Sequence, residues 1–336
     1  MKFYRRRQFL HLVAGAAALP AVSRIARTQA AQAQRRPVVP TVGWLSAVAG
    51  RPPQSMIGFR KGLSELGYIE GQNIAIEFRG SVQYDRLPAL AADLVSRQVT
   101  VIFASATANP ALAAKAATST IPIVFATAGD PVKLGLVASL NRPGGNMTGV
   151  TFFTSTLVVK RLELVRELVP QLPIIGFLTN PTNLLSETDT MDLQAAAANV
   201  GQQIVVLNAK TMDEMEAAFA TAARLGVGAL LVDGDGFFAR NAYQLAAIAL
   251  RYKIPASYPT RAFTAAGGLM SYGDDRLESN RQAGVYVGRI LKGEKPADLP
   301  VLQPKKFQFV INLKTANSLG LIIPRKLLAF ANEVID

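Results

Sequence analysis

The chain has 336 residues, of which 50% are hydrophobic and 18% charged, with no cysteine and a single histidine. This composition is typical of a globular chain with a sizeable core, and it excludes a disordered chain and one built on disulfides. The formal net charge is +13, but residues 1–33 hold six basic residues and no acid, which leaves 30 basic against 23 acidic residues. The remaining excess forms no basic stripe with stacking aromatic residues, so we expect no nucleic-acid partner.

The first 33 residues have the pattern of an export signal. A basic start is followed by an apolar run at 9–22 and by the small-residue pattern Ala31-Gln32-Ala33. The run is shorter than the roughly 20 residues that a membrane span needs. Within the leader, Arg6-Arg7-Gln8-Phe9-Leu10 resembles a twin-arginine signal, and an ordinary secretory signal is the alternative. We therefore expect a periplasmic protein whose signal is cleaved near Ala33.

The mature chain lacks the residues on which several enzyme classes depend. His11 lies in the leader, so the mature chain has neither histidine nor cysteine, which excludes Ser-His-Asp and Cys-His nucleophiles and zinc sites of the His/Cys type. Neither G-x-G-x-x-G nor G-x-x-x-x-G-K-[ST] occurs. The segment Asp233-Gly234-Asp235-Gly236 lacks the spaced ligands of a calcium loop and is interpreted as a strand-to-helix turn. We expect no cofactor, no metal and no catalytic residue.

From residue 38 onward, short apolar runs alternate with stretches of helical period, which predicts parallel sheets covered by helices on both faces. In the first half, Gly67 is predicted to end the first helix and Asp85 to cap the second. The predicted strands of this half are 38–45, 74–78, 99–104, 121–126 and 148–152. The predicted helices are 56–66, 87–95, 109–117 and 130–140.

The second half repeats the alternation. Pro170 is predicted to stop a helix at 162–169, and Thr211 with Glu214 three residues later forms a capping box. Further helices are predicted at 181–201, 211–222 and 275–291. The predicted strands are 173–178, 203–207, 228–232, 254–257, 268–272 and 307–311. The chain therefore predicts two α/β halves with a ligand cleft where the carboxyl ends of their strands face each other.

Small polar residues follow the strands of the first half, where backbone N–H groups at helix N-termini can hold a carboxylate. The alternative is that these residues only cap helices. In the second half, Asp233 is a candidate partner for a ligand ammonium, and two tyrosines are candidates for stacking on an apolar or aromatic ligand. The candidate ligand-binding residues are Ser46, Ser105, Ala106, Thr107, Thr127, Asp130, Thr151, Asn180, Asp233, Tyr258 and Tyr272.

Several motifs together resemble those of the periplasmic substrate-binding proteins of ABC transporters, a family that includes the tryptophan/tyrosine-binding type. The resemblance covers Pro40 to Pro324. The motifs that carry it are GFRKGL at 58–63, LGYIEG at 66–71, IPIVF at 121–125, GDPV at 129–132, GLV at 135–137, NRPGGNMTGV at 141–150, LKGEKP at 291–296 and VINLKTA at 310–316.

The resemblance implies a type I periplasmic-binding fold, which has two Rossmann-like, doubly wound parallel-sheet lobes joined by three crossovers. The expected lobes are 37–153 plus 274–303 and 154–273 plus 304–336. It implies that the protein clamps a small solute, an amino acid or related carboxylate, including aromatic ones, and delivers it to an inner-membrane permease with a cytoplasmic ATPase. We expect a monomer. The resemblance supports the first-lobe candidates more directly, because the loops at Asn180 and Asp233 depart from the residues of aromatic amino-acid binders.

Two other interpretations remain open from sequence. An exported α/β enzyme would need paired carboxylates in one cleft, for which the candidates are Asp130, Asp233, Asp235 and Asp274-Asp275. A ligand-sensing domain for a membrane signalling partner would share the fold. We expect a binding protein and not an enzyme, in which solute contacts to both lobes favour the closed state.

Overall fold

In this computed structural model, the structure describes residues 39–336 except 51–52, 153, 171–173 and 304–305. The predicted export signal lies outside the described residues. Residues from Pro40 onward belong to one compact unit. Among the described residues, no helix combines the length and apolar composition that crossing a membrane requires.

Two separate sheets organise this unit. The first sheet is parallel, with the order β2-β1-β3-β4-β5, and the second has the order β12-β11-β10-β9-β8-β6-β7. The strands of the first sheet are β1 Thr41–Ser46, β2 Ala75–Gly80, β3 Val101–Ser105, β4 Ile123–Thr127 and β5 Met147–Thr151. Those of the second are β6 Ile174–Thr179, β7 Gln203–Asn208, β8 Ala229–Val232, β9 Ala256–Tyr258, β10 Met270–Asp274, β11 Phe307–Asn312 and β12 Glu333–Ile335. We call each sheet with its helices a lobe.

Helices cover both faces of each sheet. The α-helices of the described residues are α1 Pro53–Glu65, α2 Leu87–Ser96, α3 Ala108–Ala117, α4 Thr154–Leu168, α5 Ser186–Ala198, α6 Met212–Arg224, α7 Gly236–Arg240, α8 Ala242–Arg251, α9 Arg261–Ala265, α10 Arg276–Leu291, α11 Leu313–Ser318 and α12 Arg325–Phe330. Alternate residues of one strand enter opposite clusters, since Trp44 packs in the cluster on one face of the first sheet and Leu45 in that on the other. Burial on both faces accounts for the continuous apolar runs in the sequence.

The late helix α10 belongs to the first lobe, where it crosses α1 with the two backbones in contact. A Cβ on Gly62 would lie 1.9 Å from the carbonyl oxygen of Arg281, and one on Gly284 would lie 2.2 Å from that of Phe59. Glycine at these positions allows the close approach. The chain must therefore return to the first lobe after β10.

Three crossovers connect the lobes, as the resemblance implied. The first follows β5, the second joins β10 to α10, and the third leads from Leu302 to β11. Leu302 is still part of the first lobe, because its N–H donates to Gly149 O at 2.8 Å and its carbonyl accepts from Thr151 N at 3.0 Å. The chain leaves the second lobe at Asp274 and re-enters opposite it at Phe307, so β11 runs antiparallel to β10. This crossover therefore produces the antiparallel β10–β11 pair in an otherwise parallel second sheet.

The predicted strands lie within three residues of the observed ones, and two of the predicted helix ends are confirmed. Gly67 follows α1 with φ +88°, and Thr211 Oγ1 accepts from Glu214 N at 3.2 Å. The predicted cap at Asp85 is wrong, because this residue lies inside a 3-10 turn at Tyr84–Arg86.

The predicted helix at 130–140 is also wrong, because the segment makes a turn in its place. Asp130 Oδ1 accepts from Val132 N at 2.8 Å, and the positive φ of Gly135, +67°, ends the turn. The edge strand β12 was not predicted.

Candidate functional site

The carboxyl ends of β1, β4 and β5 carry three of the candidate hydroxyls, and each makes a bond within the first lobe. Ser46 Oγ accepts from Val48 N at 3.2 Å, and Thr151 Oγ1 donates to Gly129 O at 2.6 Å. Thr127 Oγ1 donates to the carbonyl of the next residue at 3.3 Å. All three side chains are buried. They therefore fix the shape of the loops at this edge of the sheet.

The loop after β3 holds a strained backbone. Ala106 has φ +90°, which is rare for a residue with a side chain and is typical of functional sites. Ser105 Oγ accepts from Trp44 Nε1 at 2.7 Å, which anchors one end of the loop. Thr107 is the N-cap of α3, but its side chain makes no capping bond and instead lies 3.3 Å from Asn109 Oδ1. The N-terminus of α3 therefore keeps backbone donors that its cap residue does not satisfy.

Asp130 follows β4 and accepts hydrogen bonds from the backbone of its own loop. Its Oδ1 accepts from Val132 N at 2.8 Å and from Lys133 N at 3.3 Å, an arrangement that stabilises the turn found there. This carboxylate therefore has a structural role in the first lobe.

Asp233 follows β8 in the second lobe and is only 1% exposed. Its Oδ2 accepts from Thr179 Oγ1 at 2.9 Å and its Oδ1 accepts from Gly234 N at 2.6 Å. Both oxygens thus have partners inside the lobe, and this geometry does not favour the ammonium contact expected from sequence.

A buried ionic cluster, formed by Arg161, Asp189 and Asp233, lies under this loop. Arg161 on α4 donates through Nη1 to Val232 O, and its burial lowers the pKa while the two carboxylates oppose that shift. Burial, followed by the charge of Asp233, raises the pKa of Asp189 to about 8. Burial also raises the pKa of Asp233, against the pull of its hydrogen bonds and of Arg161. The raised pKa of Asp189 therefore favours its protonated form near neutral pH, which relieves the repulsion between the two carboxyl groups.

Asp235, two residues further on, joins the lobes. Its Oδ1 accepts from Phe237 N at 2.8 Å, as the N-cap of α7, and from Asn180 Nδ2 at 3.1 Å. Its Oδ2 accepts from the hydroxyl of Tyr84, which belongs to the first lobe and also accepts from Gly236 N at 3.4 Å. Burial and then the charge of Asp235 raise the pKa of Tyr84 above its ordinary range. The candidate Asn180 thus helps to hold a carboxylate that bonds across the cleft.

Other loops meet across the cleft beside this pair. Arg240 Nη1 donates to Ala49 O at 3.1 Å, and a Cβ on Gly236 would lie 2.1 Å from Ala47 O. Leu185, which follows β6, packs into the apolar cluster of the first lobe. The carboxyl edges of the two sheets therefore face each other in direct contact.

A third group of charges lies where the chain crosses between the lobes. The guanidinium carbon of Arg276, at the start of α10, lies 3.8 Å from the centroid of the ring of Phe152, which directly follows β5. Arg276 Nε lies 3.0 Å from Asp274 Oδ1, and Ser279 Oγ donates to Asp274 Oδ2 at 3.2 Å. Burial raises the pKa of Asp274, and the charge of Arg276 opposes this shift.

The two candidate tyrosines lie in β9 and β10 of the second lobe. Tyr258 is 0% exposed, and its ring stacks on Phe263 with 5.2 Å between centroids. Tyr272 lies within β10, because the strand continues to Asp274, and its ring packs 6.0 Å from that of Phe307. The predicted strand end at Tyr272 is therefore corrected to Asp274, and both rings pack against aromatic neighbours of the second lobe.

Sequence reasoning missed the partners that give this edge its charge pattern. Tyr84, Arg161, Asp189 and Arg276 were not candidates, because each interacts with at least one residue that is distant in sequence. The one usable signal was the pair of aspartates at 233 and 235 directly after a buried strand, where a pair of acids needs partners.

Two α/β lobes, joined by three crossovers and facing each other through the carboxyl ends of their strands, define a type I periplasmic-binding protein. Residues 53–335 match the family model described as ABC transporter substrate binding protein, and the chain belongs to this family. It is therefore a solute-binding protein. A tyrosine-binding protein of Clostridioides difficile (strain R20291) is 30% identical over 266 residues, which make up 79% of this chain and 76% of that protein.

Several solved structures are similar to this chain over most of its length. An ABC domain in complex with L-Trp from Streptococcus pneumonia is 27% identical with a TM-score of 0.79, covering 88% of this chain and 99% of that one. A conserved domain protein from Vibrio cholerae has the same identity and coverages with a TM-score of 0.80. The ligand-free, open structure of a Clostridium difficile substrate binding protein with adhesive properties, also 27% identical, has a TM-score of 0.61 and covers 85% and 96%. At equal identity, this structure agrees better with the L-Trp complex than with the open form.

Proposed function

We propose that this protein is the periplasmic receptor of an ABC uptake transporter, which closes on a small carboxylate-bearing solute and delivers it unchanged to a permease with a cytoplasmic ATPase. The observation that carries this proposal is the bond from Tyr84 to Asp235, which joins loops at the facing carboxyl edges of the two sheets. The tyrosine-binding relative and the L-Trp complex favour an aromatic amino acid as the solute.

The mechanism is a shift between open and closed arrangements of the lobes. The closed arrangement has its own bonds across the cleft, from Tyr84 to Asp235 and from Arg240 to Ala49. A solute that contacts both lobes adds to these bonds and raises the population of the closed form, which the permease would then recognise. In the first lobe, the strained loop at Ala106 presents the N-terminus of α3 and so supplies neutral donors.

Binding is tested on the purified mature chain, residues 34–336. A thermal-shift screen would contain L-tyrosine, L-tryptophan, the other amino acids and short or aromatic carboxylic acids. A solute that binds only the folded protein raises its melting temperature by an amount set by its concentration over Kd. Mass spectrometry of the recovered compound should return it intact. No shift with any compound would contradict the binding proposal, and conversion to a product would favour the enzyme alternative.

Export is tested separately in cells. We expect the full chain to be recovered from the periplasm without its leader, and a variant with Arg6→Lys and Arg7→Lys to be retained if the twin-arginine route is used. Export of this variant at the normal level would indicate the general secretory route. Size-exclusion chromatography with light scattering checks the expected monomer.

A further inference from the structure

Arg276 differs from the other charged residues at the cleft because its guanidinium is fixed in place and incompletely used. Phe152 supports its flat face at 3.8 Å and Asp274 Oδ1 lies 3.0 Å from its Nε. The side chain is 24% exposed. Its buried Nε, although 3.0 Å from Asp274 Oδ1, has no hydrogen-bond partner among the described residues, and no hydrogen bond from its terminal nitrogens is found there. A guanidinium held in this way can still donate from its terminal nitrogens to a further acceptor.

The carboxylates around the cleft have partners from the protein itself. Asp130 accepts from the N–H groups of its own turn, Asp233 from Thr179 and Gly234, and Asp235 from groups of both lobes. Asp233 and Asp235 therefore have both carboxylate oxygens engaged, whereas Asp130 uses only Oδ1.

The position of Arg276 places it at both edges of the cleft. Phe152 directly follows β5, and its N–H donates to Thr127 O of β4 at 2.9 Å, while Asp274 ends β10 in the second lobe. The exposed Arg240, in contrast, already donates to Ala49 O at 3.1 Å. A partly buried cation attracts an anion more strongly than an exposed one, because less solvent screens the pair.

We propose that Arg276 is the residue that recognises a carboxylate group of the solute, through the terminal nitrogens of the guanidinium that Phe152 and Asp274 hold in place. This inference rests on the proposed solute-binding function and makes the carboxylate, not the amine, the group that the cleft requires. Asp274 acts as a positioning residue whose charge also moderates the attraction.

The test compares three related probes by calorimetry: L-tyrosine, 3-(4-hydroxyphenyl)propionate, which lacks the amine, and tyramine, which lacks the carboxylate. Arg276→Gln should weaken binding of the two carboxylates roughly 10- to 100-fold, the effect of losing a hydrogen-bonded charge pair. Tyramine should bind weakly and equally to the variant and the wild type. Asp274→Asn, which removes the opposing charge and keeps the guanidinium, should strengthen carboxylate binding by a few fold, roughly the effect of a partly screened charge.

The opposite signs of these two variants separate recognition from a loss of structure. Arg261→Gln is the matched control, because it removes an exposed arginine that pairs with Glu333 at the far edge of the second sheet. Equal weakening of all three probes by Arg276→Gln, or unchanged L-tyrosine binding, would overturn the inference and leave the binding function intact. If the wild type binds no member of the wider panel, the proposed function itself fails and takes this inference with it.

Discussion

The two edges that face each other across the cleft are built from different chemistry. In the first lobe, Ser46, Thr127 and Thr151 hold the loops with neutral hydroxyl bonds to the main chain. In the second lobe, buried carboxylates at Asp233 and Asp235 hold the corresponding loops. Charged groups in a low-dielectric interior interact strongly and titrate, whereas hydroxyls do neither. We therefore expect loop stability and pH dependence to be governed by the second lobe.

The largest effect should come from removing the cation of the buried ionic cluster. Arg161→Met removes the buried guanidinium whose charge opposes the raised pKa of Asp233, and removing one partner of a buried charge pair costs about 3–5 kcal/mol of unfolding free energy. Urea unfolding measures this change. Lys160→Met is the matched control, because Lys160 is the preceding residue and its bond to Glu163 is solvent-exposed. Equal losses in the two variants would show that the cluster contributes no more than a surface pair.

The same cluster should make stability fall as the pH rises. The pKa of Asp189 is about 8 in the folded protein against an ordinary 3.8, so between these values the folded state binds more protons than the unfolded state. Its contribution is complete below pH 3.8 and is lost as the pH rises towards 8. The slope from one group is at most about 1.4 kcal/mol per pH unit.

Asp189→Asn replaces the protonated acid with a neutral group and tests that slope. The unfolding free energy of this variant, minus that of the wild type, should increase with pH. Urea unfolding at several pH values between the two pKa values measures this difference. The exposed and non-titrating Thr188→Ala on the same helix serves as control and should give a curve parallel to that of the wild type. A parallel curve for Asp189→Asn as well would contradict the assigned protonation.

The contact between the two edges is tested by Tyr84→Phe. Loss of the hydroxyl removes the donor to Asp235 across the cleft and should weaken solute binding about tenfold, since the closed arrangement loses a charge-assisted bond. Small-angle scattering of the solute-free variant should show a larger radius of gyration. Tyr243→Phe, at a tyrosine that is 72% exposed, should change neither quantity. Weaker binding without any change in the radius of gyration would indicate that Tyr84 contacts the solute instead.

Most of the fold could be predicted from sequence because its signals are local. Buried strands appear as apolar runs, and the cap at Thr211 depends on a residue only three positions away. The length of β10 could not be predicted in this way, because Gly273 and Asp274 join the strand only through pairing with β11. Tyr272 was therefore placed at a strand end that lies two residues further on.

The site was predictable only as a set of loops. The strand ends were found, but the roles of their side chains depend on partners that are distant in sequence. Tyr84 and Asp235 are separated by 151 positions, and Arg161 lies on a different element from either acid that it serves. No periodicity or motif connects such residues. The sequence therefore predicted where the carboxyl edge of each sheet lies, whereas the contacts of the side chains at that edge are visible only in the structure.

The smallest expected effect concerns the hydroxyl side chains at the carboxyl edge of the first sheet. Thr151→Val removes the bond to Gly129 O and should cost about 1 kcal/mol of unfolding free energy. Thr148→Val on the same strand is a matched control, because it removes an equally buried bond of 2.6 Å to Leu299 O away from the strand end. Both variants should lose similar stability by urea unfolding, but only Thr151→Val should alter solute affinity, since Gly129 belongs to the loop that meets Leu185. Equal affinities in the two variants would mean that the first-lobe hydroxyls stabilise the fold alone, and that discrimination resides in the charged groups of the second lobe and the crossovers.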